Sequence, residues 1–333
     1  MTRLKLNYGG VRYLDRTRAL ETGEVSPVGI DLNYVVPASI GDLFRNMAMY
    51  CDYDVAEFSL SSLMIMMAKG DNRLIGLPVF PSRAFRHSQI YINAKAGIKT
   101  PKDLIGRVVG VSQWQMTAAL WVRAHLQHDY GVRQEQIKWR TGGLFVPQFA
   151  TRAPITMPDN IELKQIPEGE TLENMLLEGS LDALVTTEPP KAFVEHRPEI
   201  QRLFADSQSV EREYYKRTGF FPIMHVVVMR RDVYEANKWI ALPLLNAFNE
   251  SKRLGIELLR YQGAYGAQLP WLPTAVEEVD TLFGGDAFPY GLQANAAILD
   301  AMIGYADEQG LLAKKVTPRD LFAPETWAGS IPG

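Results

Sequence analysis

The sequence predicts an α/β protein of two lobes, each a mainly parallel sheet flanked by helices, with a ligand cleft between the lobes. Strand and helix patterns alternate from Leu4 to about Phe80 and again from Lys99 to Thr186, which is typical of parallel sheets covered by helices. The chain has 333 residues, and at roughly 150 residues per domain it is long enough for two cores.

The elements of the first lobe follow from this alternation. The pattern places strands at Leu4–Tyr8, Ile30–Val35, Val55–Phe58 and Ile75–Val79, with helices at Asp15–Thr22, Ile40–Tyr50 and Leu60–Lys69. Ser59 and Ser61 suit the start of the third helix, because a serine hydroxyl accepts a hydrogen bond from a free backbone N–H there. Each strand therefore ends where a helix begins.

The second lobe opens with a helix-start signal at Thr100–Asp103. A threonine caps a helix, a proline suits its first position, and an acidic residue favours the positive end of the helix dipole. The strands predicted after it are Arg107–Val111, Ile137–Arg140, Ile161–Ile166 and Ala183–Thr186, with a helix at Met116–Tyr130. The proline-rich stretch Gly142–Asn160 is predicted to be a long loop.

Two strand-like segments, Ser88–Asn93 and Pro222–Arg230, flank the second lobe. They predict that the chain leaves the first lobe and returns to it through a paired hinge, so that lobe one comprises residues 1–92 and 221–333 and lobe two residues 93–220. Only helices follow the return strand, at Trp239–Arg260, Ala275–Phe283 and Gly291–Gln309. Strand ends from two such lobes would surround a small ligand in the cleft.

Composition narrows the classes of partner. The 35 Lys and Arg residues against 38 Asp and Glu residues give a net charge of −3, so no basic field attracts a phosphate backbone and we expect no nucleic acid. No apolar run approaches the roughly 20 residues of a membrane helix, and the first residues lack the apolar stretch of a secretory signal. We therefore expect a cytoplasmic protein that does not contact a membrane.

The sequence lacks the residues for several common kinds of site. The single cysteine, Cys51, excludes a disulfide framework and any site built from several cysteines. His125 and His128 are spaced i, i+3, but no accompanying carboxylate or cysteine pattern completes a site, and we predict no metal site. There is no glycine-rich phosphate loop and no Gly-x-Ser-x-Gly motif, which argues against nucleotide-dependent enzymes and serine hydrolases.

A loop rich in hydrogen-bond donors follows the last strand of the first lobe. Phe80–Ser88 contains Arg83, Arg86 and His87 between serines and aromatic residues. A guanidinium binds a carboxylate through two parallel hydrogen bonds, so the pair of arginines predicts an anionic ligand. The alternatives are that the two arginines form salt bridges between the lobes, and that His87 is a structural histidine rather than a proton donor.

Further polar residues lie where predicted strands begin or end. Gln113, Gln115 and Thr117 lead into a helix whose free N–H groups favour a negative group, although Thr117 also fits a simple cap. His225 begins the apolar return strand and is either functional or buried with a hydrogen-bond partner. Glu188 follows a strand and is either a base in the cleft or a solvated acid of the loop.

Six stretches spread over nearly the whole chain resemble the 4,5-dihydroxyphthalate decarboxylase family. They are Tyr13–Leu20, Ser59–Ser61, Phe80–Ser88, Gln115–Thr117, Thr218–His225 and Pro289–Gly291. That family is similar in fold to the type II periplasmic solute-binding proteins, and Asp103–Val111 looks like the start of their second lobe. The resemblance implies that a catechol dicarboxylate loses one carboxylate to give 3,4-dihydroxybenzoate and CO₂, with no cofactor.

The resemblance also implies roles for the polar residues. The two arginines of the donor-rich loop would hold the carboxylate that stays on the ring. His87 would donate the proton to the ring carbon, and His225 or Glu188 would polarise the hydroxyl para to the departing carboxylate. The set expected to bind this small aromatic dicarboxylate is Arg83, Arg86, Ser59, Ser61, Gln113, Gln115, Thr117, Arg16 and Tyr290.

Two other functions stay open at this point. A non-catalytic solute-binding protein would have the same two lobes and would bind an aromatic or other small carboxylate without needing a proton donor. An enzyme of thiamine-precursor synthesis on a similar fold would favour a nucleophilic histidine or a cysteine-rich loop, which Cys51 alone does not provide. The helix-rich last third leaves room for a homo-oligomer interface, and the number of subunits stays open.

Overall fold

The structure is a computed structural model that describes residues 2–147 and 157–328. These residues form two compact units. Unit 1 contains the chain up to Arg83, Ile223–Ile303 and the chain from Lys314 onwards, and unit 2 contains Ala84–Pro222 and Gly304–Ala313. Unit 1 is therefore discontinuous in sequence.

The limits of this division differ from the lobe boundaries expected from the sequence. The chain leaves unit 1 after Arg83 and not after residue 92, because the strand at Ile90–Asn93 pairs within unit 2. The short segment Gly304–Ala313 also belongs to unit 2, although the sequence placed the whole carboxyl-terminal part in lobe one. The local sequence of residues 88–93 does not show which strands pair with it. Those strands lie about 90 to 110 residues further along the chain, so the segment resembles a hinge when it is considered alone.

The described residues contain the following elements. The strands are β1 (Leu4–Gly9), β2 (Ile30–Val35), β3 (Val55–Ser59), β4 (Leu74–Leu77), β5 (Ile90–Asn93), β6 (Val108–Val111), β7 (Lys138–Thr141), β8 (Leu163–Gln165), β9 (Ala183–Val185), β10 (Ile200–Arg202) and β11 (His225–Arg230). The helices are α1 (Arg18–Glu21), α2 (Ile40–Tyr50), α3 (Leu60–Ala68), α4 (Thr117–Tyr130), α5 (Leu172–Glu178), α6 (Lys191–Val194), α7 (Ser207–Thr218), α8 (Arg231–Ala236), α9 (Ala241–Arg260), α10 (Leu272–Phe283), α11 (Ala296–Glu308) and α12 (Pro318–Leu321).

Unit 1 is built on a five-stranded sheet of order β2-β1-β3-β11-β4. Strands β1, β2 and β3 are parallel, whereas β11 is antiparallel to both of its neighbours. Every residue of β3 and of α3 is buried, so this strand and helix form the centre of the core. A helix that is apolar on all sides requires such burial, and each large apolar side chain that it buries stabilises the fold by about 1.5–3 kcal/mol.

Unit 2 is built on a six-stranded sheet of order β10-β5-β9-β6-β7-β8. Strands β6, β7, β8 and β9 are parallel, and β5 is antiparallel to β9 and β10. Three tryptophans, Trp114, Trp121 and Trp139, are fully buried and dominate the core around α4. The antiparallel β5 brings the turn that precedes it, His87–Gln89, to the edge where β6 and β9 end.

The regular elements were predicted best where local signals are strong. Helix α2 occupies the predicted range, whereas α11 begins five residues later than expected, at Ala296. The loop predicted over 142–160 has no regular structure at 142–147 and 157–160, and its middle, residues 148–156, lies outside the described residues. Among the residues described here, no helix combines the length and apolar character needed to cross a membrane.

Candidate active site

One edge of the sheet in unit 1 collects chemically active side chains. β1 and β3 end at this edge and the antiparallel β11 begins there, with His225 directly opposite Ser59. The segment after β1 contributes Tyr13 and Arg16, and the segment after β4 reaches Arg83. Polar residues far apart in the sequence are therefore brought together by the strand order.

The centre of this edge is a hydrogen-bonded pair of His225 and Glu57. Glu57 is fully buried, and its Oε1 lies 2.6 Å from Nδ1 of His225. The register pairs Val227 with Glu57 and His225 with Ser59, so the two side chains are diagonal neighbours on one face of the sheet. The imidazole retains 18% of its side-chain exposure, which leaves part of the ring reachable.

Two more donors converge on the same carboxylate. The hydroxyl of Tyr13 donates to Oε1 of Glu57 at 2.6 Å, and the backbone N–H of Val11 donates to Oε2 at 3.0 Å. Burial, followed by the negative charge of Glu57, raises the pKa of Tyr13 well above its usual range. The phenol therefore keeps its proton and acts as a donor to the carboxylate.

Arg83 is held in place by the loop before α11. Its Nη2 donates to the carbonyl of Pro289 at 3.0 Å and also to Oδ1 of Asn295. Asn295 is itself buried and donates to the carbonyls of Pro289 and Gly291. The predicted residue Tyr290 lies in this loop, and burial raises the pKa of its phenol well above the usual range. One end of the guanidinium is thus fixed by unit 1 itself.

The remaining predicted residues of unit 1 lie close to these groups. Ser59 Oγ caps α3 by accepting from the N–H of Ser62 at 3.4 Å, and it lies 3.2 Å from Ser61 Oγ. The guanidinium of Arg16 stacks on the ring of Tyr13, 4.4 Å from its centroid, and on the ring of Phe288. Arg16 therefore lies directly beside Tyr13, one of the groups that donate to Glu57.

Unit 2 has its own group of predicted residues at the edge where β6 and β9 end. Gln113 and Gln115 lie in the segment after β6, and Thr117 is the first residue of α4 rather than its cap, which is Met116. Glu188 is exposed, and its backbone bonds to the side chain of Thr186. This position favours the interpretation of Glu188 as a solvated acid of the loop.

His87 lies inside an aromatic cluster of unit 2. It is 1% exposed, its ring stacks on that of His125 with centroids 4.6 Å apart, and Phe204 and Tyr214 contact its edges. Burial lowers the pKa of His87 to about 3, so the ring is neutral at neutral pH and holds almost no imidazolium. Next to it, burial lowers the pKa of Arg86 to about 10, and its Nη1 donates to Gln89.

Residues suited to a metal also occur in this cluster, although not in the spacing considered from the sequence. Donor atoms of His87, His125 and Asp129 lie within 4.8 Å of one another. The two imidazole planes are only 21° apart in a stack, so their in-plane lone pairs do not converge on one ion, and Asp129 accepts from Arg217 at 2.7 Å. His128 instead meets Glu308 at 2.7 Å. In this arrangement His87 and His125 form a packed ring pair, and Asp129 is paired with the guanidinium of Arg217.

Sequence reasoning missed Glu57 and did not assign Tyr13 a role of its own. Glu57 is the one charged residue in the otherwise apolar run Val55–Phe58, and a carboxylate placed inside a buried strand needs donors around it. This single charge in an apolar strand was the sequence feature that could have identified Glu57. Its donors, however, come from two distant segments that only the fold identifies.

The chain has relatives among proteins of known activity. No family model matches it. It is 35% identical over 324 residues to a 4,5-dihydroxyphthalate decarboxylase of Comamonas testosteroni, an alignment that covers 97% of this chain and 98% of that protein. The chain belongs to the 4,5-dihydroxyphthalate decarboxylase family. A decarboxylase of the same name from Pseudomonas putida is 34% identical over 220 residues, covering 66% of this chain and 84% of that protein.

Solved structures identify the fold of this family member. The periplasmic aliphatic sulphonate-binding protein SsuA of Escherichia coli superposes with a TM-score of 0.54 at 13% identity, covering 98% of this chain and 99% of that one. The desulfurization enzyme DszB gives a TM-score of 0.54 at 15% identity, with 98% of both chains covered. The two-lobed, periplasmic-binding-protein-like α/β fold predicted from the sequence is confirmed.

Proposed function

We propose that this protein removes one carboxylate from 4,5-dihydroxyphthalate, giving 3,4-dihydroxybenzoate and CO₂. Its membership of the decarboxylase family supports this substrate class. The observation that carries the proposal is the contact of a partly exposed imidazole, His225, with a buried carboxylate, Glu57. An imidazole held in this way can exchange a proton with a ligand, which a protein that only binds a solute does not require.

The chemistry of the substrate requires few groups from the protein. Loss of the proton from the hydroxyl para to one carboxylate pushes electrons onto the ring carbon that bears this carboxylate. That carbon gains a proton, the C–C bond breaks with its electron pair returning to the ring, and CO₂ leaves. The hydroxyl oxygen recovers a proton at the end, so atoms and charge balance. Because the ring itself accepts the electrons, the reaction needs no electron-sink cofactor.

We assign the residues of unit 1 to this chemistry. His225 accepts the hydroxyl proton, and Arg83 holds the carboxylate that stays on the ring, with Ser59 and Ser61 beside it. An arginine on the departing carboxylate would stabilise the charged ground state and slow the reaction. Because burial lowers the pKa of His87 to about 3, almost none of this ring carries an extra proton to give at neutral pH. We therefore assign ring protonation to groups that exchange protons with solvent.

The direct test is an assay of turnover. The protein is incubated with 4,5-dihydroxyphthalate while the ultraviolet spectrum and CO₂ are followed, and a thermal shift reports binding alone. We expect CO₂ release, and in D₂O a product with one deuterium at the vacated ring position. Binding without CO₂ release would instead support the solute-binding function.

Two histidine variants separate the assignments. His225→Ala should lower kcat by roughly 10²–10⁴-fold, the usual contribution of a positioned acid or base. His87→Ala should cost less than about tenfold if the protein stays folded, which circular dichroism checks. The reverse order of effects would return the proton-donor role to His87, as the sequence predicted.

The wider setting is also part of the proposal. We propose that the enzyme acts in phthalate degradation in the cytoplasm and that it works without a cofactor or metal. The para hydroxyl supplies the electron push in this chemistry, so turnover should survive dialysis against EDTA. Turnover that is lost on dialysis and restored by one divalent metal would contradict the cofactor-free mechanism.

A further inference from the structure

We propose that Glu57 is a positioning residue that fixes the tautomer of His225, with the proton on Nδ1 and the lone pair on Nε2. The catalytic consequence rests on the proposed function, because only a ring with a free lone pair at Nε2 can accept the proton of the substrate hydroxyl. The tautomer itself is a property of the protein and can be measured without substrate.

The contacts of Glu57 distinguish the groups that donate from those that accept. The backbone N–H of Val11 can only donate, and it donates to Oε2 of Glu57 at 3.0 Å. The raised pKa of Tyr13 keeps its phenol protonated, so it donates to Oε1 at 2.6 Å. A carboxylate offers only acceptors, and Nδ1 of His225 at 2.6 Å from Oε1 must therefore carry a hydrogen.

The fold makes this arrangement rigid. Glu57 is fully buried in the central strand β3, and its partner strand β11 is paired with β3 over five residues from His225 to Met229. The ring of Phe44 meets the imidazole edge-on at a centroid distance of 4.9 Å. With the ring enclosed on these sides, Nδ1 is committed to Glu57 and Nε2 is the nitrogen left for proton exchange.

Replacing Glu57 by glutamine should reverse the tautomer without changing the shape of the side chain. The amide oxygen must face the N–H of Val11, since an NH₂ group there would place two donors together. The NH₂ group then faces Tyr13 and His225, and Nδ1 has to become the acceptor. In Glu57→Gln the proton of the neutral ring therefore moves to Nε2, which can no longer accept a proton from the substrate.

The experiment measures both properties. In ¹⁵N NMR spectra, assigned with a His225→Ala variant, the neutral His225 ring should be protonated on Nδ1 in the wild type and on Nε2 in Glu57→Gln. Turnover of 4,5-dihydroxyphthalate by Glu57→Gln should fall by roughly 10²–10⁴-fold in kcat, while KM changes by less than about threefold. A structural defect alone would not invert the tautomer.

A matched control and a second variant complete the design. Glu173 in unit 2 is also a buried glutamate, and its Oε1 accepts from the N–H of Ala192 at 3.1 Å, so Glu173→Gln should leave kcat and the His225 spectrum unchanged. Tyr13→Phe removes one donor and should keep the proton on Nδ1.

The outcomes separate this proposal from the proposed function. A wild-type ring protonated on Nε2, or a Glu57→Gln variant with full turnover, overturns the tautomer proposal. Should Glu57→Gln fail to fold, the wild-type spectrum still decides. Absence of CO₂ release by the wild type would overturn the proposed function and leave the tautomer measurement as it stands.

Discussion

At the scale of single residues, Arg83 is a cation whose orientation is set before a ligand binds. The carbonyl of Pro289 and the side chain of Asn295 hold one amino group of its guanidinium, and the side chain is 8% exposed. A planar group held in this way loses little freedom when a carboxylate binds to it. Lysine at this position would supply the charge but not the planar fork.

Arg83→Lys should therefore act on binding more than on chemistry. We expect KM for 4,5-dihydroxyphthalate to rise roughly tenfold to hundredfold, the loss of about one charge-assisted hydrogen bond, with a smaller change in kcat. Steady-state kinetics measures this. Arg73→Lys, at an arginine that pairs with Asp71 at 2.7 Å, is the control and should leave KM unchanged. An unchanged KM in Arg83→Lys would remove Arg83 from the carboxylate site.

At the scale of elements, α4 and the turn His87–Gln89 are joined by stacked histidines. Burial lowers the pKa of both His87 and His125, the former to about 3. The ordinary value in an unfolded chain is about 6.5. Between these two values the unfolded chain binds protons that the folded chain does not, so the folded state loses stability as the pH falls.

Unfolding by urea should show this loss. The free energy of unfolding should fall between about pH 6.5 and pH 3, by up to about 1.4 kcal/mol per pH unit for each histidine, and the fluorescence of the tryptophans buried in unit 2 reports the transition. His125→Phe should flatten this slope, whereas Tyr130→Phe, which alters the same cluster without removing a histidine, should not. A slope that His125→Phe leaves unchanged would show that the acid sensitivity has another source.

The elements also show which features a local sequence pattern predicts and which depend on distant parts of the chain. Helix α2 was predicted at its observed limits, and both of its ends are closed by local contacts. Ser39 accepts from the N–H of Asp42 at 3.0 Å, and Cys51 takes a left-handed conformation. The contact of His225 with Glu57 joins residues 168 positions apart. No local pattern encodes such a pairing, so the sequence suggested His225 and missed its partner.

At the scale of the whole molecule, the order of the strands means that the proposed site forms only when the sheet of unit 1 is complete. β11 lies between β3 and β4 although unit 2 separates it from them in the chain. The pair His225 and Glu57 can form only after the strand that follows this insertion has joined the sheet.

The net charge of −3 does not attract a dianion at long range, so binding has to depend on local cations.

Phthalate separates binding from chemistry in the intact protein, because it keeps both carboxylates but lacks the hydroxyl that pushes electrons onto the ring. It should bind without releasing CO₂. At about 100 times its Kd, a ligand stabilises the folded state by about 2.7 kcal/mol, so Tm should rise by a few degrees. Glu57→Gln should keep this rise and Arg83→Lys should lose most of it, since only the arginine holds a carboxylate. Release of CO₂ from phthalate would contradict the role of the para hydroxyl, and an unchanged Tm would contradict the carboxylate site.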